Sequence, residues 1–235
     1  MDGVLYCGRR AVPGAAAFIR RLQAQAVPYL CITNHSCFSP DHLAAKLARM
    51  GIPVPAERIL TAGQATAAWL HGQGTRRVFA IGEPAFHVAL AEAGIESNSV
   101  RPTHVVISLD RRVKYERLAL AARHIQLGVP FVATNPDVSY PTERGSAPEC
   151  GFFLAGLERM TGVRPVVIGK PGPQLYRLAA AKLNVPRSQL TMIGDRLDTD
   201  IAGGRSAGLR TLLVLSGHTT RAMLRGARVR PDAVV

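Results

Sequence analysis

Between residues 76 and 137 the chain alternates short apolar runs with longer amphipathic stretches: RRVFAIGE, PAFHVALAEAG, THVVISL, YERLALAARHIQLG and PFVATNPD. Apolar runs of strand length suit strands buried on both faces. Apolar residues returning every three to four positions suit the helices that cover them. Strand, helix and strand repeated in this way build a parallel sheet with crossover helices. The alternation returns downstream in PVVIGK, PQLYRLAAAKLN, LTMIGD, DIAGGRSAG and RTLLVLSG. Upstream, 13–25 predicts a helix with Pro13 near its start, and 27–34 a buried strand. A helix over 39–51 takes Ser39 as N-cap, Pro40 at its first position and Gly51 as its stop, and 61–74 predicts another. Residues 138–148 read as a loop, and CGFFLAGLERMTG after them as a helix. No fixed-period repeat or low-complexity tract intervenes.

At 235 residues the chain can bury a proper core. Its net charge of +13 raises the question of nucleic acid. The basic residues are spread along the whole length, however, and aromatic residues make up only 6%. A diffuse positive field of this kind favours small anionic ligands, phosphorylated ones included; no nucleic-acid partner is expected. The apolar runs are strand-sized, so no membrane partner is expected, and the N-terminus lacks an apolar signal core. Four cysteines without a CxxC pair fit a reducing compartment, which points to the cytoplasm. Only four of the 29 basic residues are lysine, so each lysine asks for a reason.

In open parallel sheets, ligands sit beyond the carboxyl ends of the strands. The polar residues closing the apolar runs are Asp2, Thr33 with Asn34, Lys170 and Asp195. In TMIGDRLDTDI, Asp195 stands at a strand tip and Asp198 and Asp200 in the turn after it. Carboxylates so close repel one another, and a hard cation with oxygen ligands such as Mg2+ offsets that cost. A helix start that attracts acids through its dipole explains the same residues equally well. In VIGKPGPQLY, Lys170 offers a compact charge suited to a phosphoryl oxygen, or it is a solvated loop lysine. ITNHS ends a strand in a hydroxyl and a carboxamide before a helix whose free N–H groups can take an anion; it is also an ordinary turn. MDGVLY alone is weaker still.

The combination is far more specific. Asp-Gly-Val-Leu, Thr-Asn, Gly-Lys-Pro and Gly-Asp-(four residues)-Asp, in this order at predicted strand ends, resemble the four motifs of the haloacid dehalogenase superfamily. TNHSCFSPDHLAAKLARMGI, ATNPD, VIGKP and GDRLDTDI further resemble its NagD and p-nitrophenyl phosphatase branch, over nearly the whole chain. The resemblance implies a Rossmann-like parallel sheet core with helices on both faces, formed by 1–65 and 164–235, and an inserted α/β cap domain of C2 type over 66–163. It also implies a Mg2+-dependent phosphatase that hydrolyses a small phosphomonoester through an aspartyl-phosphate.

Carried onto this sequence, the resemblance makes Asp2 the general acid and base and, through its carbonyl, a metal ligand beside Asp195. Thr33 and Asn34 would hold the phosphoryl group, Lys170 would balance its charge, and Asp200 would orient its neighbours. Asn135, Asp137 and Tyr140 would face the substrate from the cap, and a homodimer could form through the cap. The family's first motif is Asp-x-Asp-Gly, and its nucleophilic Asp would stand one place before Met1. The expectation is therefore a chain lacking nucleophile and first strand, inactive or truncated as given. A catalytically silent phosphate-binding or interaction protein on the same scaffold is the alternative. His35 stands where the branch has a second Asn.

Overall fold

The computed structural model describes residues 1–142 and 145–235, in two compact units. One comprises Met1–Thr33, Pro40–Leu60 and Lys170–Val235; the other comprises Asn34–Ser39 and Thr61–Gly169. The class is the expected one, an α/β Rossmann-like core with parallel strands and an inserted second α/β unit.

In the first unit, Thr191–Gly194, Arg210–Leu213 and Ala233–Val234 form a parallel sheet in that order. Gly194 pairs with Leu213, so Asp195 lies just past a strand tip. Cys31–Thr33 pairs with Ile59–Thr61, and among the described residues no strand is bonded to both groups. Helix Pro40–Arg49 buries Leu43 and Leu47, one turn apart, and keeps its charges outward. Helix Pro173–Leu183 begins with proline in its first turn and buries Leu175, Tyr176, Ala179 and Ala180. The Tyr176 hydroxyl donates to Thr199 O at 2.8 Å, anchoring this helix to the loop after Asp195.

Three local features depart from expectation. The strand expected over 27–34 is confined to Cys31–Thr33; Pro28, without an N–H, cannot join a ladder at its start. Residues 197–201 form a π-type turn, and the helix after them is only Ala202–Ser206. An unanticipated hairpin pairs Tyr6–Cys7 with Arg10–Ala11, turning at Gly8 with φ 60°.

In the second unit, five parallel strands run in the order Val166–Val167, Phe131–Ala133, His104–Ile107, Arg77–Ile81, Glu96–Ser97. Phe79, Ile81, Val105 and Ile107 from the central strands pack with Ala122 and Ile125 of helix Tyr115–Gln126 and with Leu154 and Leu157 of helix Cys150–Thr161. Helix Ala62–Gly72 opens with a capping box between Thr61 and Gln64. The expected loop over 138–148 is instead an antiparallel pair, Ser139–Thr142 with Gly145–Pro148. A two-stranded ribbon is all edge, which is where strand prolines such as Pro141 and Pro148 are tolerated. Glu143 and Arg144 lie outside the described residues. Among the described residues no helix is long and apolar enough to cross a membrane.

Candidate active site

Lys170 and Asp200 form the centre of the first unit's polar cluster. Lys170 Nζ lies 2.6 Å from Asp200 Oδ1, and both side chains are buried. The other oxygen of Asp200 accepts the N–H groups of Asp195 at 3.1 Å and Arg196 at 3.2 Å. Burial works to raise the Asp200 carboxyl, but the Lys170 charge, then the Met1 amino group, the Lys170 hydrogen bond and the Arg196 N–H outweigh it and hold its pKa below the ordinary value. Asp200 can fold back so tightly because residue 194 is glycine; a Cβ there would overlap the Asp200 side chain. The spacing Gly-Asp-(four residues)-Asp thus has a steric cause.

Asp195 is only 8% exposed. Its Oδ2 accepts His218 N at 2.8 Å, and its carbonyl accepts Thr219 N at 3.1 Å. A Cβ on either Gly3 or Gly217 would overlap this carboxylate, and Ser216 Oγ donates to Gly3 O at 2.7 Å. Two turns at residues 2–3 and 216–218 therefore close around it. Thr33 is buried at the end of the strand that carries Cys31, whose thiol is pushed up to about 11 by burial. The α-amino group of Met1 lies among these groups: burial first, then Lys170, lowers its pKa, while Asp200, Cys31 and Asp195 act the other way. The Met1 nitrogen thus lies close to Lys170, Asp200, Cys31 and Asp195 within the first unit.

Asp2 lies differently. It is exposed, its Oδ1 accepts Gly3 N at 3.0 Å, and its charge adds to burial in raising the Tyr6 hydroxyl. Lys46 Nζ stands 4.0 Å from the Tyr6 ring centroid and also feels Asp2. Asp198 pairs with Arg196 at 2.6 Å near the surface, apart from the role of Asp200.

A metal ion must be tested against these donors. Among the described residues no group of three or more His, Cys, Asp or Glu side chains could hold one. Asp195 offers one buried carboxylate, already accepting an N–H on Oδ2. Mg2+ demands near-octahedral oxygen coordination and dehydrates reluctantly, so one carboxylate does not fit it. The residues present do not make a metal site by themselves.

In the second unit, Asn34 donates from Nδ2 to Asp137 Oδ2 at 2.9 Å. Asn135, fully buried, donates from Nδ2 to Asn34 O at 3.0 Å and to Glu149 Oε1 at 3.4 Å, while its Oδ1 accepts Asp137 N at 3.0 Å. Tyr140 is half-buried in the Ser139–Thr142 strand. Asn34, Asn135 and Asp137 therefore form one bonded group with Glu149, which the sequence reading did not single out. Glu149 sits between Pro148 and Cys150, where an acid reads as turn chemistry. The 216–218 turn was also missed, although a polar Ser-Gly-His closing the apolar run TLLVL follows the strand-tip rule.

Gly151 fastens the helix behind this group. Its N–H donates to Asp137 O at 2.8 Å, and a Cβ there would overlap Pro136 O and meet Asp137 O at 2.8 Å. Both obstacles are backbone atoms. Gly151→Ala is expected to lose about 1–3 kcal/mol, seen as a lower urea midpoint. An unchanged midpoint would show that the 136–137 loop yields freely.

A Rossmann-like α/β core with a buried Lys–Asp pair and a second carboxylate at the strand tips, plus an inserted α/β unit, defines a class of hydrolase. Two matches place it. The family described as haloacid dehalogenase-like hydrolase matches residues 1–96, and a related one, HAD-hydrolase-like, matches residues 167–235. An acid sugar phosphatase of Staphylococcus aureus (strain USA300) is 36% identical over 233 residues, 98% of this chain and 90% of that protein. NagD from E. coli K-12 superposes with a TM-score of 0.95 at 34% identity, covering 100% of this chain and 92% of that one. A 4-nitrophenylphosphatase from Thermotoga maritima gives 0.94 at 33% identity, covering 100% and 91%. A glycerol phosphate phosphatase from Mycobacterium tuberculosis, solved in complex with calcium, gives 0.92 at 35%, covering 100% and 70%. The chain belongs to the haloacid dehalogenase-like hydrolases, on their NagD and p-nitrophenyl phosphatase side.

Proposed function

We propose that this chain carries the phosphate-binding side of a Mg2+-dependent phosphomonoesterase acting on a small phosphorylated metabolite through an aspartyl-phosphate. The observation that carries the reading is the buried Lys170–Asp200 pair beside Asp195, with the Met1 nitrogen among them. A residue joined to that nitrogen would begin inside the pocket. Its carboxylate would attack phosphorus as the ester P–O bond breaks, with Asp2 delivering the proton to the departing alkoxide. Asp2 would then take a proton from the water that attacks the aspartyl-phosphate and frees orthophosphate. For this, Asp2 must turn from Gly3 N towards the pocket. Lys170 balances the phosphoryl charge and the Thr33 hydroxyl and Asn34 N–H donate to its oxygens, so the work is positioning and electrostatics. Asp200 holds Lys170 and the 195–196 backbone in place.

Mg2+ would take the Asp195 carboxylate and the Asp2 carbonyl, and needs the preceding residue's carboxylate as a further ligand. The inserted unit, about 66–163, would act as the cap, with Asn135, Asp137 and Tyr140 on its substrate side.

The test is p-nitrophenyl phosphate hydrolysis with Mg2+ by this chain and by a version extended with an apolar strand ending in Asp joined to Met1. The extended protein is expected to turn over, to stop when EDTA removes the metal, and to exceed the shorter chain by orders of magnitude. A folded extended protein that stays inactive would overturn the phosphatase reading in favour of a silent phosphate-binding scaffold.

A further inference from the structure

Glu149 is a carboxylate that the phosphatase chemistry does not use, yet it is 5% exposed and bonded into the group that holds Asn34. It stands just before helix Cys150–Thr161, with Asn135 between it and the Asn34 carbonyl. The Asn135 Nδ2 group serves two acceptors, Asn34 O at 3.0 Å and Glu149 Oε1 at 3.4 Å. A charge on Glu149 strengthens the second bond at the expense of the first, since hydrogen bonds to ionised acceptors are roughly twice as strong.

The groups facing Glu149 decide how readily it takes that charge. Asp137 from the loop after Phe131–Ala133 and Glu83 ahead of helix Pro84–Glu92 are both acidic, and Glu83 is paired in turn with Arg111. The thiols of Cys37 and Cys150 lie close by and are both pushed up to about 12, chiefly by burial. Burial first, then these neighbouring carboxylates, push the Glu149 carboxyl up to about 7 against the bonds from Asn135 and Cys150 N.

We propose that Glu149 is a positioning residue whose protonation sets, through Asn135, how firmly the Asn34 backbone is held, so that anion binding at the Thr33–Asn34 loop weakens as Glu149 ionises. The anion-binding part rests on the phosphate-site reading above; the link from Glu149 to Asn34 does not.

Two measurements on the full chain separate these. The side-chain amide NMR signals of Asn135 and Asn34 are expected to shift with a common midpoint near neutral pH in the parent and to stay flat in Glu149→Gln, which keeps the acceptor but cannot ionise. Signals that do not move, or that move identically in the variant, would overturn the proposal; should the variant fail to fold, the titration of the Glu149 carboxyl carbon in the parent decides the same point. Tungstate, kept dilute enough to remain the monomeric dianion over this range, is expected to bind the parent roughly threefold to tenfold more weakly at pH 8 than at pH 6, relative to the same ratio in Glu149→Gln. Equal ratios would sink the coupling. No tungstate binding by either protein, with the amide shifts present, would reject the phosphate-site reading while leaving the Glu149 link standing.

Discussion

Lys170→Met is expected to destabilise the protein by about 3–5 kcal/mol, because it leaves the Asp200 carboxylate buried without its cation. Asp200 would keep the Asp195 and Arg196 N–H groups on Oδ2, so the fold persists while its urea midpoint falls. The double variant Lys170→Met/Asp200→Asn should recover much of the loss, since removing both charges is far less costly than removing one. The pH dependence follows from the depressed Asp200 carboxyl. Its stabilising contribution is present above the unfolded carboxylate value of about 3.9 and is lost as pH falls through the lower folded value. Without Lys170 burial is largely unopposed and the Asp200 carboxyl rises, so the variant's deficit relative to the parent should be full near neutral pH and should shrink as pH falls and Asp200 is protonated. Equal unfolding curves from pH 2 to 7 would show that the pair contributes nothing.

Glu149→Gln is expected to act with the opposite sign. The folded Glu149 carboxyl is raised to about 7 from an ordinary value of 4.5. Between those values the native state binds a proton that the unfolded chain has released. Parent stability therefore falls as pH rises through this window and levels above it, by a total of about 3 kcal/mol. The variant lacks the fall. Its stability relative to the parent should rise by that amount between pH 4 and pH 8, read from urea unfolding at each pH. A difference that stays constant with pH would mean that Glu149 is not held in a desolvating site.

Much of this was legible before any coordinates. An apolar run ending in a polar residue marks a strand tip in a parallel sheet; that rule picked out Thr33, Lys170 and Asp195, and the resemblance added Asp200, all four of which are buried in the first unit with Lys170 paired to Asp200. The rule works because a polar side chain is costly inside an apolar strand and finds its partners just past the strand's end. It fails where a residue's position depends on packing between segments distant in sequence. Glu149 looks like any acid beside a proline; only the buried Asn135, fourteen residues upstream, gives it a role. The direction of the Asp2 carboxylate was equally illegible, since a bond to its own neighbour Gly3 competes with the pocket and neither is encoded by spacing. The ribbon at 139–148 was hidden by its prolines, which argue against strands except at an edge.

The proposed function requires Thr33 and Lys170 to share one small anion site with Asp195 at its side. The most direct measurement is the anomalous difference map of a crystal of this chain soaked in tungstate. One dominant tungsten peak is expected within hydrogen-bonding reach of the Thr33 hydroxyl and Lys170 Nζ, absent from Lys170→Met. A dominant peak elsewhere on the protein, with none beside Lys170, would contradict it.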